Sequence, residues 1–167
     1  MRIIGIDPGY AIVGFGVVDY IGGKFSVKDF GAITTDKDTP FPKRLCEIYE
    51  DYCQILDNWK PDALSIERLY FTNNQKTGID VAQARGIIIM AAEQRGIEIN
   101  EYTPLQVKQA VVGYGQAVKK QVQEMTKNIL KLSCVPKPDD TADALAMTIC
   151  HAQTSGSLLR NIKASNI

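Results

Sequence analysis

Histidine and cysteine are scarce in this sequence, which contains one histidine and four cysteines among 167 residues. No Cys-x-x-Cys pair and no histidine at zinc-finger spacing accompanies the cysteines, which are Cys46, Cys53, Cys134 and Cys150. This pattern argues against a structural zinc site and against a redox dithiol. Cys46 and Cys53 fall on a predicted helix, where a free cysteine usually behaves as a small buried apolar residue, so we expect both to pack in the core.

Long hydrophobic runs are also missing from the chain. The longest stretches, such as Ala82 to Ala92, are interrupted by polar residues and glycine and fall well short of the roughly 20 residues that a membrane span needs. The first residues read Met-Arg-Ile-Ile-Gly-Ile-Asp, without the apolar stretch and cleavage site of a signal peptide. We therefore expect a cytoplasmic protein without a membrane span.

A net charge of either sign is absent, because 19 Lys and Arg residues balance 19 Asp and Glu residues. The charges are nevertheless unevenly placed. The segment from Asp36 to Glu67 is rich in acids, whereas the segment from Thr103 to Lys137 holds a single acid, Glu124, and the lysines Lys108, Lys119, Lys120, Lys127, Lys131 and Lys137. This lysine-rich segment is a candidate anion-binding surface, and a solvated helix face with scattered lysines is the alternative interpretation.

The apolar pattern predicts strands and helices along the whole chain. Runs of apolar and β-branched residues, bounded by turn signals, predict strands at Ile3–Asp7, Val13–Tyr20, Lys24–Thr34, Ala63–Glu67 and Ile97–Tyr102. A period near 3.6, together with breaks at glycine and proline, predicts helices at Pro40–Trp59, Thr77–Arg95, Leu105–Val112, Ala117–Leu132 and Thr141–Gln153.

This order of elements predicts an α/β fold. An antiparallel meander of three strands, followed by alternating helices and strands, implies a mixed five-stranded sheet with helices on both faces. One domain is the default at this length, and we assign it residues 1–154. The tail, residues 155–167, is rich in Ser, Asn and Gly, and we expect it to be flexible.

Two carboxylates are predicted to end buried strands. Asp7 ends the first strand beside a Pro-Gly turn, and Glu67 ends the strand that begins at Ala63. A buried carboxylate is costly unless a positive charge meets it. Two of them at the ends of neighbouring strands would also repel each other, and a shared divalent cation is the simplest relief.

Three further acids open the last predicted helix. Asp140 and Asp143, or Asp139 and Asp143, share a helix face, and we interpret Asp139 as a helix cap. The small residues Ala142 and Ala144 flank Asp143 and would let the helix lie close to the sheet. If it packs against the strand ends, Asp140 and Asp143 join the two strand-end acids in an all-oxygen ligand set suited to Mg²⁺ or Mn²⁺. Two such ions can activate a water and stabilise the leaving oxygen in phosphodiester cleavage.

Six separated motifs resemble, in order and spacing, those of the RuvC crossover-junction endodeoxyribonucleases. They run from about residue 2 to residue 153 and read Ile4-Gly5-Ile6-Asp7-Pro8-Gly9, Ile66-Glu67, Gln83-Ala84-Arg85-Gly86, Gln106-Val107-Lys108-Gln109 with Val112-Gly113-Tyr114-Gly115, Lys119 with Gln121-Val122-Gln123, and Asp140-Thr141-Ala142-Asp143-Ala144-Leu145-Ala146. That family has the ribonuclease H-like fold, in agreement with the predicted element order. The resemblance implies a homodimer that cuts two opposed strands of a four-way Holliday junction with divalent metal, in DNA recombination and repair.

The resemblance also implies the roles of particular residues. Mg²⁺, with two ions per site, is the expected cofactor, and Mn²⁺ is an expected substitute. The family's four acidic metal ligands fall on Asp7, Glu67, Asp140 and Asp143. Its basic residues near the scissile phosphate fall on Lys108 and Lys119.

Contacts to DNA and to partner proteins are implied in the same way. An aromatic residue that the family inserts at the junction falls on Tyr70, for which hydrophobic stapling of the loop is the alternative. Lys76 and Lys120 complete the expected nucleic-acid-binding set with Lys108 and Lys119. The helix Thr77–Arg95 is a candidate dimer contact, with a purely intramolecular core role as the alternative. A branch-migration helicase complex is a further suggested partner.

The sequence also allows two rival interpretations. The Ile-Gly-Ile-Asp-Pro-Gly hairpin also resembles the first phosphate loop of actin-like ATPases and sugar kinases, but those proteins need two such halves and this chain has room for one. The spacing from Gly9 to Gly14 imitates a P-loop, yet Phe15 stands where lysine must follow. A non-catalytic junction-binding protein on the same fold is the second rival, although all four acids are present. We therefore expect a metal-dependent endodeoxyribonuclease.

Overall fold

The computed structural model describes residues 1–69 and 75–164. Within these ranges five strands form one sheet in the order β3-β2-β1-β4-β5. β2 pairs antiparallel with β1 and with β3, whereas β4 pairs parallel with β1 and with β5. This arrangement confirms the predicted mixed sheet and its opening meander. The strands are β1 (Arg2–Asp7), β2 (Ile12–Ile21), β3 (Lys24–Thr34), β4 (Ala63–Glu67) and β5 (Glu98–Tyr102).

The same ranges contain five helices, which are α1 (Phe41–Trp59), α2 (Gln75–Glu93), α3 (Pro104–Val112), α4 (Lys119–Leu130) and α5 (Asp139–Ala164). α2 begins before the predicted start at Thr77. α5 continues past the predicted end at Gln153, while the flexibility of residues 155–167 stays a prediction. Throughout the described part of the chain, no helix combines the length and the apolar character that crossing a membrane requires.

α1 and α2 cover one face of the sheet and enclose its larger apolar cluster. Every member of this cluster is nearly or fully removed from solvent, and burying an aliphatic side chain of this size contributes about 1.5–3 kcal/mol. The cluster includes Ile4 and Ile6 of β1, Leu64 and Ile66 of β4, Ile48, Tyr52 and Leu56 of α1, and Ala84 and Ile88 of α2.

The prediction that Cys46 packs in the core is wrong. Its side chain is exposed, while Cys53 is half-buried against the apolar cluster. α1 turns Ile48 and Tyr52 toward the sheet. Cys46 precedes Ile48 by two residues, and because each residue advances about 100° around a helix, it points to the opposite side.

α3, α4 and α5 cover the other face, and α5 is the element that crosses the sheet. Two buried or half-buried hydroxyls tie it to the strands. Ser65 Oγ of β4 donates a hydrogen bond to the Met147 carbonyl at 2.7 Å, and Thr141 Oγ1 donates to the Gly31 carbonyl of β3 at 3.0 Å. Helices therefore lie on both faces, as predicted.

Glycines in the strands let α5 lie almost against the backbone of the sheet. A Cβ atom at Gly5 would overlap the carbonyl oxygen of Ala144, and one at Gly14 would overlap the carbonyl of Asp140. At Gly16 a Cβ would come within 2.6 Å of a leucine side chain of α5. The close approach therefore depends on sheet glycines as well as on the small residues of α5.

Candidate functional site

β1 and β4 bring two carboxylates to one edge of the sheet. The strands pair in parallel, and Ile6 lies opposite Ile66. Asp7 and Glu67 are the next residues and the last of their strands, so they lie side by side where both strands end. Since side chains alternate between the faces of a sheet, both carboxylates lie on the face that α5 covers.

α5 brings two more acids over the same edge. Asp140 is its second residue, and Asp143 follows about one turn later. Gly14, which pairs with Asp7 in the sheet, packs directly beneath the backbone of Asp140. The start of α5 therefore lies over the end of β1, and the Asp140 charge is close enough to affect the titration of Asp7.

Three acids and two lysines line one cleft of about 210 Å³. The acids are Asp7, Glu67 and Asp143, and the lysines are Lys108 of α3 and Lys119 of α4. Asp140 stands outside this lining. The remaining wall is almost entirely apolar and consists of Pro104, Val107, Val122, Ala146 and Met147.

A well-formed helix start places Lys108 in the cleft. Thr103 Oγ1 accepts a hydrogen bond from the Gln106 amide at 3.1 Å, and the Gln106 side chain accepts one from the Thr103 amide at 2.8 Å. Pro104 occupies the first helical turn. This capping box fixes where α3 begins, and it thereby fixes the position of Lys108 in the following turn.

The Lys119 ammonium lies among the acids. Its Nζ is 2.8 Å from Asp143 Oδ2 and 3.9 Å from Asp139 Oδ2. The hydrogen bond with Asp143 is the main cause of a raised pKa at Lys119. Asp139 also accepts a hydrogen bond from Lys137 Nζ at 2.6 Å, which lowers the pKa of Asp139. Two lysines therefore engage Asp139, the first residue of α5.

Burial and mutual repulsion raise the pKa values of the acids in the cleft. Burial, followed by the charges of Asp143, Glu67 and Asp140, raises the pKa of Asp7 to about 8. Burial and the Asp143 charge also raise the pKa of Glu67. At Asp143 burial outweighs the ion pair with Lys119, and its pKa lies above the usual value as well. The Lys119 ammonium therefore does not balance this group of carboxylates.

The chemistry of the donor set fits a hard divalent cation. Carboxylate oxygens are the ligands that Mg²⁺ and Mn²⁺ prefer, and a cation would offset the burial and the repulsion that raise the pKa of Asp7. Among the side chains that the structure describes, no group of three or more His, Cys, Asp or Glu is arranged to hold a metal ion as it stands. The Lys119 ammonium supplies a positive charge beside Asp143.

Three further residues are predicted to contact DNA. Tyr70 falls outside the described residues. Lys76 is the second residue of α2, and its side chain also falls outside what the structure describes. Lys120 follows Lys119 at the start of α4 and is exposed. The roles of these three residues stay predictions.

His151 lies apart from the cleft acids, in the core on the α5 face. It is buried, and its Nδ1 forms a hydrogen bond of 2.8 Å with the Tyr102 hydroxyl. Burial lowers the pKa of His151. The pair links α5 to the end of β5, which is a structural role.

Two features of the site were not predicted. The first is its apolar wall, because the spacing of Val107, Val122 and Met147 is that of ordinary core residues. The second is Arg85 of α2, whose Nε donates a hydrogen bond to the Glu67 carbonyl at 3.2 Å. Arg85 belongs to a motif that carries the family resemblance, but nothing in the motif indicates which atom the guanidinium reaches.

The chain is similar to known proteins over most of its length. The family model described as "Crossover junction endodeoxyribonuclease RuvC" matches residues 3–151. The protein of that name from Ruminiclostridium cellulolyticum is 54% identical over 163 residues, which cover 96% of this chain and 98% of the relative. The one from Brevibacillus brevis is 56% identical over 153 residues, which cover 92% of each chain.

A solved structure shares the same architecture. Thermus thermophilus RuvC in complex with a Holliday junction substrate superimposes with a TM-score of 0.86 at 34% identity. The match covers 91% of this chain and 93% of that one, which confirms the predicted ribonuclease H-like fold. From the family match and from these two close relatives, it follows that the chain belongs to the RuvC family of crossover junction endodeoxyribonucleases.

Proposed function

We propose that this protein resolves four-way DNA junctions by metal-dependent hydrolysis of phosphodiester bonds. The observation that carries the proposal is the cleft that Asp7, Glu67 and Asp143 share with Lys108 and Lys119. Carboxylates suit a divalent cation, and ammonium groups suit a phosphate. The two kinds of group together match the needs of cleavage at phosphorus.

Four carboxylates are our candidate metal ligands: Asp7, Glu67, Asp140 and Asp143. When bound, two Mg²⁺ ions, or Mn²⁺ in their place, would activate the attacking water and stabilise the leaving oxygen. The support for Asp140 is electrostatic, since its charge raises the pKa of Asp7 although its side chain stands outside the lining of the cleft.

Lys108 and Lys119 are our candidate phosphate contacts. The hydrogen bond to Asp143 holds the Lys119 ammonium over the acids, where a phosphodiester entering the cleft would meet it. Lys120 at the start of α4, Lys76 in α2 and Tyr70 between β4 and α2 would extend this surface along the DNA.

The substrate that we assign is a four-way junction. The similar Thermus thermophilus protein was solved in complex with a Holliday junction substrate, and its fold matches this chain over nearly the whole length. A branch-migration helicase complex as partner and a cytoplasmic location are further parts of the proposal.

We further propose that two copies of the chain pair through α2. One face of α2 is buried at Ala84 and Ile88, whereas another exposes Ile79 (53% exposed) and Met90 (47% exposed). Gly86 lies between these two, with open space where a side chain would be. Residues at this spacing share one helix face, so the core role and the pairing role fall on different sides of α2. A symmetric pair would offer two clefts for two opposed strands.

Cleavage of a synthetic junction tests the proposed activity. Wild type and Asp143→Asn are incubated with the junction and with a matched linear duplex, in Mg²⁺ or in EDTA. We expect paired nicks in the junction alone, lost in EDTA and in the variant. Junction binding without any cutting, across several junction sequences and with Mn²⁺ also tried, would instead support the non-catalytic junction-binding protein.

A charged substitution tests the pairing. Met90→Glu places a carboxylate in the exposed apolar face of α2, and we expect light scattering to show monomers while the circular dichroism spectrum is unchanged. Ile21→Glu is the matched control, because Ile21 is 70% exposed at the end of β2. A Met90→Glu protein with the wild-type mass would exclude pairing through this face.

A further inference from the structure

Arg85 connects α2 to the strand end that carries Glu67. Its Nε donates a hydrogen bond to the Glu67 carbonyl oxygen at 3.2 Å, and its Nη2 donates to Glu101 Oε1. Only 14% of the Arg85 side chain is exposed. The guanidinium is therefore largely enclosed between the helix and the sheet, and it has two acceptors, of which the Glu67 carbonyl belongs to the backbone.

This contact reaches Glu67 from the opposite face of the sheet. Glu67 pairs with Tyr102, which packs in the cluster under α5, whereas the preceding pair, Ile66 and Glu101, belongs to the face of α1 and α2. Arg85 lies on that second face. It therefore holds the backbone of Glu67 from below, while the Glu67 carboxylate points into the cleft above.

The peptide group between Glu67 and Arg68, whose carbonyl accepts the hydrogen bond from Arg85, is the point at which the chain leaves the sheet. β1 ends at Asp7 beside it, and β4 ends at Glu67 itself. The next amide, that of Arg68, donates to the Tyr102 carbonyl at 2.8 Å. The Arg85 hydrogen bond restrains the carbonyl on the other side of the same peptide group. The backbone orientation at Glu67 determines where its Cβ points, so this restraint acts on the carboxylate.

We propose that Arg85 is a positioning residue that sets the Glu67 carboxylate for the divalent cation. The inference rests on the proposed function, because it takes Glu67 as a metal ligand. It also connects that ligand to α2, although the Arg85 side chain points toward the sheet and not along the face proposed for pairing.

Arg85→Met tests the role, because methionine keeps much of the apolar stem and removes both hydrogen bonds. Loss of a group that orients a metal ligand typically costs roughly 10- to 100-fold in metal affinity or activity. We expect kcat for junction cleavage to fall by that factor and the Mg²⁺ concentration for half-maximal cleavage to rise, while the junction Kd is unchanged. Without DNA, Mn²⁺ should raise the unfolding midpoint of the variant less than that of wild type.

Arg95→Met is the matched control, in the turn that directly follows α2. Arg95 forms a comparable set of bonds, with Nε and Nη2 donating to Asp57 at 2.7 and 3.0 Å and Nη1 donating to the Ala91 carbonyl at 3.1 Å. Its loss reports the effect on stability of removing the hydrogen bonds of a guanidinium group. We expect wild-type cleavage and a wild-type response to metal.

Three results would overturn the inference. The first is a wild-type metal requirement in Arg85→Met, and the second is an equal loss of cleavage and of metal response in Arg95→Met. The third is a junction Kd of Arg85→Met that weakens by the same factor as its cleavage, which would make Arg85 a DNA contact. If Arg85→Met does not fold, Arg85→Lys decides by the same readouts. A lysine ammonium does not reproduce the rigid, two-armed guanidinium group. An unchanged metal requirement in Arg85→Lys would therefore also overturn the inference. Absence of junction cleavage by wild type is a separate failure, which counts against the proposed function.

Discussion

The carboxylates that lie at the two ends of β1 have opposite electrostatic surroundings. At its start, Arg2 forms a two-armed pair with Asp19, with Nε to Oδ1 at 2.7 Å and Nη2 to Oδ2 at 3.0 Å. The Arg2 amide also donates to Asp62 Oδ2 at 2.6 Å. At its other end, Asp7 is affected by the charges of three more carboxylates and of the Lys119 ammonium.

The titration of the two acids reflects this difference. The hydrogen bond from Arg2 lowers the pKa of Asp19, whereas burial and like charges raise the pKa of Asp7 to about 8. A matched carboxylate favours the folded state, and an unmatched buried one opposes it. The start of β1 is therefore built for stability, and its end keeps a buried carboxyl group whose ionised form a bound cation would stabilise.

The largest effect expected from this comparison is on catalysis. Asp7→Asn should reduce junction cleavage on the order of 10³-fold, because metal-ion catalysis supplies several kcal/mol of transition-state stabilisation. Asp19→Asn at the other end of β1 should cut at the wild-type rate. Single-turnover cleavage of a labelled junction measures both, and gel-shift titration should show that Asp7→Asn still binds. Normal cutting by Asp7→Asn would refute the site assignment.

The same Asp7→Asn substitution should stabilise the folded protein in EDTA. The folded-state pKa of Asp7 is raised from 3.8 to about 8, so its contribution to stability is full below about pH 4 and is lost as the pH rises through about 8. The ionised form then costs on the order of a few kcal/mol, and each kcal/mol corresponds to about 2–4 °C in the unfolding midpoint.

Thermal unfolding at several pH values measures this effect. Near pH 8, Asp7→Asn should unfold several degrees above wild type, and the gap should close toward about pH 4. Added Mg²⁺ should raise the midpoint of wild type more than that of the variant. A gap that keeps one size across this range would show that ionisation of the buried Asp7 is not its cause.

Asp19→Asn should have a smaller effect of the opposite sign. The pKa of Asp19 is lowered below 3.8 by the hydrogen bond from Arg2, so its contribution is present above that usual value and is lost as the pH falls through the folded-state pKa. Ion pairs near the surface contribute about 0–1 kcal/mol, and the midpoint should fall by up to about 4 °C at neutral pH. Calorimetry at neutral and acidic pH measures this, and a deficit that grows in acid would contradict it.

The smallest expected effect is on the salt dependence of junction binding. Lys108→Gln should reduce the slope of log Kd against log salt concentration by about one, because one phosphate contact is lost. Lys28→Gln is the control at the other end of β1, where the Lys28 ammonium lies 3.9 Å from Asp19. Fluorescence anisotropy in EDTA measures both slopes. Equal slopes in the two variants would remove Lys108 from the DNA surface.

Most of the fold could be predicted because it follows from local patterns. β1 and β4 are short, mainly apolar runs that end at an acid, and α1 shows a clear 3.6-residue period, so each element is visible in its own residues. Cys46 was assigned to the wrong side of α1 because its burial was inferred from residue type alone. The continuation of α5 to Ala164 was not predicted, because a stretch rich in small polar residues does not show where a helix ends.

The site could be predicted only in part. Asp7 and Glu67 stand out as acids that end buried strands, but spacing alone does not select Asp140 and Asp143 from 19 acids, and the family resemblance was needed. The Arg85 contact could not be predicted, because it joins a side chain to a backbone oxygen 18 residues away. Such contacts depend on how a helix lies beneath the sheet, which no local pattern encodes.

The strand glycines beneath α5 limit how this protein could be made more heat-resistant. Replacing glycine by alanine commonly adds about 0.4–1 kcal/mol by restricting the unfolded chain. At Gly5 and Gly14 the added methyl group would meet the backbone of α5 and push the helix outward. Asp143 would move with it, away from Asp7 and Glu67. Thermostable variants of this enzyme should therefore come from other positions, because these two glycines set the distance between the acids of the strands and those of the helix.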